Sequence, residues 1–203
     1  MSTSRITKRV GVFGGTFDPI HKGHLAVALA VRDELDLDQV LFVVTSDQWL
    51  RENPPVASAS DRLQMVELAV SGVPSFSASD IDIRREGSTY TVDTLNDLRA
   101  ELGELATLFL IVGSDSALSM DRWKDGDRIP ALATIVAVGR PGQNLQIHAL
   151  DESHPAIGAE YIQGPMIDIS ATRVRGLLSD NRVVGDLISA SVAEFIEKQR
   201  IYG

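Results

Sequence analysis

The sequence predicts an α/β protein in which a doubly wound, parallel β-sheet carries helices on both faces. Two observations lead to this fold class. Apolar runs of strand length alternate along the chain with segments of good helix formers, and most of these runs end at Gly, Ser or Asp. The first strand, glycine turn, helix and second strand together form a βαβ unit of about thirty residues, whose crossover is expected to be right-handed. In such a sheet, ligands bind at the carboxyl ends of the strands.

The individual elements follow from local patterns. The predicted strands are apolar runs bounded by turn formers: Val10 to Phe13, Val40 to Val44, Ile81 to Ile83, Thr107 to Val112 and Ala133 to Val138. The predicted helices have apolar residues at helical spacing: His24 to Leu35, Asp61 to Gly72 with Asp61 as N-cap, Thr91 to Leu102, Ser170 or Thr172 to Leu178, and Ser191 to Gln199. Gln143 to Gly164, which includes Pro155 and Gly158, is predicted to be irregular. The pattern as a whole is Rossmann-like.

Length and composition limit the possible functions. The chain has 203 residues, 44% of them hydrophobic, which predicts a single domain over 1–203 with a C-terminal helical part from about residue 170. The net charge of −9 argues against broad nucleic-acid binding. The absence of cysteine excludes thiolate chemistry. The sequence contains no run of about 18 consecutive apolar residues, so no membrane span is predicted. We therefore expect a cytoplasmic protein that binds neither nucleic acid nor membrane; a homo-oligomer stays an open alternative.

The segment from Gly14 to Leu25, GGTFDPIHKGHL, carries the clearest chemistry. Its glycine pair lets a phosphate approach the backbone closely, and a helix that begins near Gly23 offers free amides at the positive end of its dipole. His21 and His24, three residues apart at this helix start, can both reach one phosphate. The segment therefore predicts a local anion site in an acidic protein.

The same residues also have structural and metal-binding interpretations. A glycine pair alone is more often a simple turn, and a lone histidine is more often exposed or structural. Paired histidines are also frequent zinc ligands, but no third ligand of suitable spacing is nearby, so no protein-bound metal site is predicted. Only the complete twelve-residue string favours a phosphate site.

This string resembles the HxGH-type nucleotidyltransferase superfamily, in which a first strand leads into a glycine turn and a His-x-Gly-His element that binds ATP phosphates. The superfamily has a second element, Ser-x-Thr-x-x-Arg at a helix start, and the stretch from Ser170 to Arg175 matches it. Three further stretches are similar to bacterial nicotinate-nucleotide adenylyltransferases: Ser88 to Leu95, Gly113-Ser114-Asp115 followed by Trp123, and Arg140-Pro141-Gly142. The motif reads Pro-Ile-His, not the Thr-Asn form typical of pantetheine-phosphate enzymes.

The resemblance implies roles for particular residues. His21, His24 and Arg175 would be catalytic. ATP would be bound by Gly14, Gly15, Thr16, Phe17, His21, His24, Gly113, Asp115, Arg140, Ser170, Thr172 and Arg175. The acceptor substrate would be bound by Thr16, Tyr90, Thr91, Trp123 and Arg51, the last replacing a lysine that family members usually carry. An aromatic face suits a pyridinium ring, and a hydroxyl with backbone amides suits a carboxylate.

The resemblance also implies an activity: the phosphate of nicotinate mononucleotide attacks the α-phosphorus of ATP and releases pyrophosphate. Mg²⁺ is expected to be bound through the ATP phosphates and not in a protein cage. The alternatives are adenylyl transfer to nicotinamide mononucleotide or phosphopantetheine, and a catalytically silent nucleotide-binding sensor. The presence of both histidines and Arg175 argues against the sensor.

Overall fold

A computed structural model describes residues 7–46, 54–139 and 150–203 of the chain. Within these ranges, six strands form one parallel sheet in the order β3-β2-β1-β4-β5-β6. The strands are β1 (Lys8–Gly15), β2 (Gln39–Val44), β3 (Phe76–Ser79), β4 (Ala106–Gly113), β5 (Thr134–Gly139) and β6 (Glu160–Gln163). The predicted doubly wound α/β fold is confirmed.

Helices connect the strands and pack on both faces of the sheet. They are α1 (Lys22–Glu34), α2 (Ala59–Val70), α3 (Ile81–Arg85), α4 (Thr91–Leu102), α5 (Ser114–Leu118), α6 (Ile129–Leu132), α7 (Ala171–Ser179) and α8 (Ala190–Gln199). Two short 3₁₀ turns, Met120–Arg122 and Gly126–Arg128, lie between α5 and α6. The buried apolar residues fall into two clusters, one on each side of the sheet.

The structure corrects two strand predictions. Ile81 and Ile83 lie in the short helix α3, while strand β3 lies just upstream, over Phe76–Ser79. Two isoleucines at a spacing of two do not distinguish a strand from a single helical turn, and β3 has only one large apolar side chain. Strand β6 lies in the stretch predicted to be irregular. It was not predicted because this mostly exposed edge strand has no apolar run.

One predicted helix cap is also wrong. Ser58, not Asp61, is the N-cap of α2, and its hydroxyl accepts a hydrogen bond from the Asp61 backbone N–H at 3.1 Å. Asp61 lies in the first turn of the helix, where its carboxylate accepts a hydrogen bond from the Ser58 hydroxyl at 2.6 Å. A capping serine and an acidic residue three positions later both suit a helix start, so local pattern alone favoured the wrong one.

The strand order reverses between β1 and β4. From β1 the chain moves outward through β2 and β3, then returns to place β4 on the other side of β1. Because all six strands are parallel, their carboxyl ends lie at one edge of the sheet. The ends of β1 and β4, which carry Gly14, Gly15 and Gly113, lie side by side at the centre of this edge.

Candidate active site

The turn after β1 is held in one conformation by buried contacts. Phe17 adopts a left-handed backbone (φ 51°), and its ring packs so tightly against Gly15 that a β-carbon there would lie 2.8 Å from the ring. The buried Arg62 donates hydrogen bonds from Nη1 to the carbonyl oxygens of Thr16 (2.7 Å) and Thr45 (2.8 Å). This guanidinium therefore joins the turn to the end of β2.

The two histidines form a stacked pair at the start of α1. Their ring centroids are 3.6 Å apart and the rings are inclined by 18°. The backbone N–H of His21 donates to Nδ1 of His24 at 3.2 Å. Because Nδ1 of His24 is the acceptor, a neutral His24 ring carries its proton on Nε2 and can donate from there. The rings of Phe13 and Phe17 pack edge-on against His24 and fix its orientation.

Burial keeps both imidazoles neutral. It lowers the pKa of His21 to about 4, and burial together with the charge of His21 lowers the pKa of His24 well below 6.5. Nδ1 of His21 is buried and has no hydrogen-bond partner among the described residues. An anion bound beside these two rings would lie at the positive end of the helix dipole. Its negative charge would also raise the pKa of each imidazole, because it favours the protonated ring.

The lowered pKa of His21 predicts a specific loss of stability in acid. Between pH 6.5 and about 4 the unfolded chain binds a proton at His21 that the folded chain does not bind, so the free energy of unfolding falls as the pH falls through this window. We expect His21 to account for about 2 kcal/mol of the stability lost between pH 7 and pH 5. Urea denaturation at both pH values should show a smaller loss for His21→Gln than for the unsubstituted protein. Equal losses would contradict the prediction.

Asp18 connects the turn to distant parts of the chain. Its buried carboxylate accepts hydrogen bonds from the backbone N–H groups of Val56 (2.9 Å) and Ala57 (3.1 Å) and from the Tyr202 hydroxyl (2.6 Å). Its carbonyl oxygen accepts a hydrogen bond from Nη1 of Arg175 at 2.7 Å. Burial and the bond to Asp18 raise the pKa of Tyr202 above its ordinary value. Asp18 therefore anchors the turn that carries the histidines.

The start of α7 lies beside the start of α1. Ser170 is the N-cap of α7, and its hydroxyl accepts a hydrogen bond from a backbone N–H of the first turn at 3.3 Å. Nη2 of Arg175 donates to Oγ1 of Thr172 at 3.4 Å. A β-carbon at Gly23 would lie 3.6 Å from Cβ of Ile169. The two sequence motifs, about 150 residues apart, thus meet in space.

A cavity of about 370 Å³ opens at the carboxyl ends of β1 and β4, where Gly14 and Gly113 line it, and neither motif histidine is among its lining residues. Tyr90, Thr91 and Trp123 also line it, so five of the predicted residues surround one space. Its mixed lining of apolar, hydroxyl and charged groups and its volume suit a small organic ligand.

A partly buried charged cluster supports the wall of this cavity. Asp82 lines the cavity, accepts a hydrogen bond from the Thr94 hydroxyl at 2.6 Å and pairs with Arg85 at 2.7 Å. Arg85 also pairs with Asp97 at 2.6 Å. Burial raises the pKa of Asp82, while the Thr94 hydroxyl and the Arg85 charge oppose the rise. These contacts fix α3 against α4 and so position Tyr90 and Thr91 at the start of α4.

The sequence comparisons agree on one family. The family model described as cytidylyltransferase-like matches residues 12–177. A Corynebacterium kroppenstedtii protein named "Probable nicotinate-nucleotide adenylyltransferase" is 41% identical over 100% of this chain and 94% of its own length. The chain belongs to this family of nucleotidyltransferases. The predicted family membership is confirmed.

Solved structures share the fold of this adenylyltransferase family. The Plasmodium falciparum nicotinic acid mononucleotide adenylyltransferase complexed with APC has a TM-score of 0.74 at 20% identity, covering 96% of this chain and 97% of that one. The same protein complexed with NaAD has a TM-score of 0.71 at 20% identity with the same coverage. At this identity the likeness bears on the fold alone.

Against this family background, the predicted residues fall into two groups beside the end of β1. The histidines and Arg175 are linked through the Asp18 turn, while Tyr90, Thr91 and Trp123 line the cavity. Asp115 is exposed in the first turn of α5 and does not line that cavity. Arg51 and Arg140 lie outside the described residues. No helix in the described part of the chain is long and apolar enough to cross a membrane.

Sequence reasoning missed several residues that shape the site. Asp18 was available in the GGTFDP string, where an acidic residue inside a predicted phosphate turn signals a structural role. Arg62 and Tyr202 carry no comparable signal, because their partners lie in distant segments. Lys124 directly follows Trp123, but its position over the Tyr90 ring depends on tertiary packing, which the sequence does not reveal.

Proposed function

We propose that this chain transfers AMP from ATP to the phosphate of nicotinate mononucleotide, forming nicotinate adenine dinucleotide and pyrophosphate in NAD biosynthesis. The observation that carries the proposal is the arrangement around β1. A neutral histidine pair and Arg175 contact the turn after this strand, and a cavity with aromatic side chains opens at the end of the same strand. ATP would bind at the histidine pair and the pyridine ring in the cavity, with the reacting phosphates over the glycine turn.

The reaction needs positioning and charge stabilisation more than proton transfer. An oxygen of the mononucleotide phosphate, already ionised near neutral pH, forms a bond to the α-phosphorus of ATP. The bond from the α-phosphorus to the bridging oxygen breaks, and pyrophosphate leaves with the electron pair. His24 Nε2, His21, Arg175 and the amides of the turn would stabilise the negative charge that develops on the transferred phosphoryl group and the leaving group.

Mg²⁺ would neutralise charge on the ATP phosphates when bound with its substrate. The Asp18 carboxylate, in the turn that carries the histidines, already accepts three hydrogen bonds. Among the described residues there is no cluster of three or more His, Asp or Glu side chains that could hold a metal ion. We propose that Mg²⁺ would be brought to the site bound to the ATP phosphates.

The acceptor site would hold a planar cationic ring. Tyr90 and Trp123 offer aromatic surface, and Thr91 at the start of α4 offers a hydroxyl and a backbone N–H. The same groups could receive a carboxylate, because the first amides of a helix have no partners within the helix. A nicotinate ring satisfies both requirements.

A panel of acceptors tests the proposal. Pyrophosphate release is measured with ATP and Mg²⁺, offering nicotinate mononucleotide, nicotinamide mononucleotide and phosphopantetheine separately. We expect kcat/KM for nicotinate mononucleotide to exceed the others by at least about tenfold, and excess EDTA to stop release. Release with another acceptor alone would refute the substrate assignment. Tight ATP binding without release from any acceptor would support the nucleotide sensor.

A further inference from the structure

Lys124 places a positive charge at the cavity beside the aromatic residues. Its ammonium nitrogen lies 4.1 Å from the centroid of the Tyr90 ring and 3.6 Å from Oδ2 of Asp93. Both charged side chains are partly exposed, Lys124 by 45% and Asp93 by 39%. The ammonium is therefore held at the cavity wall by weak, solvent-screened contacts that it can exchange for a ligand.

The two charged side chains that line the cavity differ in how freely they can contact a ligand. Among the described residues that line it, Lys124 is the one cation and Asp82 the one anion. Asp82 is 2% exposed and is engaged by Arg85 and Thr94, whereas Lys124 contacts an aromatic face and one carboxylate at the edge of ion-pair distance. The charge most able to interact with a ligand in this cavity is thus positive.

Acid and amide forms of a pyridine mononucleotide differ mainly in charge at this position. Both present a cationic ring to Tyr90 and Trp123, and both can accept a hydrogen bond from Thr91. The acid adds a carboxylate that cancels the ring charge, whereas the amide leaves the ring as a net cation. A ring that stacks on Tyr90 displaces the Lys124 ammonium from that face, so the two positive charges remain close together unless the ligand supplies an anion.

We propose that Lys124 determines specificity by favouring a pyridine mononucleotide that carries a carboxylate over one that carries a carboxamide. The carboxylate pairs with the displaced ammonium, and the carboxamide leaves it facing a cationic ring. Asp93 holds the ammonium near the cavity before the ligand arrives. This inference rests on the proposed function, because it assigns the discrimination between two acceptors of that reaction to one side chain.

Charge-removal variants test the inference. Lys124→Met retains much of the side-chain length and removes the charge, Lys124→Arg retains the charge, and Arg122→Met removes a charge from an exposed residue two positions away that does not line the cavity. The measurement is the ratio of kcat/KM for nicotinate mononucleotide to that for nicotinamide mononucleotide. Calorimetric Kd values for both compounds without ATP give the corresponding ratio in the absence of turnover.

We expect Lys124→Met to lower this ratio about fivefold, mainly through a higher KM for the acid, as for the loss of one partly exposed charge pair. Lys124→Arg and Arg122→Met should leave the ratio within about twofold of the unsubstituted value. An equal loss for acid and amide in Lys124→Met would show a structural role and overturn the inference. An equal fall in the ratio for Arg122→Met would attribute it to overall charge and also overturn it. If the unsubstituted enzyme uses neither pyridine mononucleotide, the proposed function fails first, and that result is distinct from these.

Discussion

Replacing His24 by alanine is expected to lower kcat by about a hundredfold or more, with a smaller change in KM for nicotinate mononucleotide. The ring is held by the His21 backbone N–H and by two phenylalanines, so its Nε2 donor is oriented before substrate binds. A donor fixed in this way stabilises the transition state without reorganisation. Steady-state kinetics with saturating Mg²⁺-ATP measure the effect.

His24→Asn separates the donor from the local structure. The asparagine amide oxygen can accept the His21 backbone N–H in place of Nδ1, but no group then replaces Nε2. We expect this variant to match the thermal stability of the unsubstituted protein more closely than His24→Ala and yet to be as slow. Turnover of His24→Asn within about threefold of normal would mean that the ring acts only as a structural support.

Asp18→Asn is expected to reduce the free energy of unfolding by about 3 kcal/mol and to reduce kcat/KM as well. The carboxylate accepts two backbone N–H groups and one hydroxyl, and an amide replaces one of its oxygens by a donor that faces other donors. The turn that carries the histidines then loses its link to the segment before α2. Urea denaturation at pH 7.5 gives the stability change.

Tyr202→Phe provides the matched comparison for Asp18→Asn. It removes one hydrogen bond to the same carboxylate and leaves the charge and both backbone contacts, so we expect a loss of about 1.5 kcal/mol. Asp180→Asn, at an exposed position, should change stability by less than about 0.5 kcal/mol. If Asp18→Asn costs no more than Tyr202→Phe, the backbone contacts of the carboxylate contribute little.

The parts of the fold that sequence predicted well have strong local signals. Strands β1, β2, β4 and β5 are apolar runs that stop at turn formers, because a parallel strand covered on both faces has no polar side. Strands β3 and β6 are four residues long and lie at the two edges of the sheet. Their position depends on pairing with a neighbouring strand, which no local pattern records.

The candidate site divides in the same way. His21 and His24 could be predicted because one short, unusual string carries both. The motif that includes Arg175 could be predicted because its residues have the fixed spacing of one helix start. The Asp18 contact to Tyr202 joins residues 184 positions apart, and the Lys124 contact to Tyr90 joins two separate loops. Such contacts arise from the packing of whole elements, so one sequence gives no sign of them.

The bond between Asp18 and Tyr202 has a consequence for the order of events during synthesis. A chain that grows from its N-terminus completes β1, the glycine turn and α1 long before residue 202 leaves the ribosome. Until then the Asp18 carboxylate lacks one of its three partners, and Arg175 is absent for most of that time. The strands of the N-terminal half can therefore form early. The turn that carries the histidines is expected to become rigid only after α8 has packed and Tyr202 has reached Asp18.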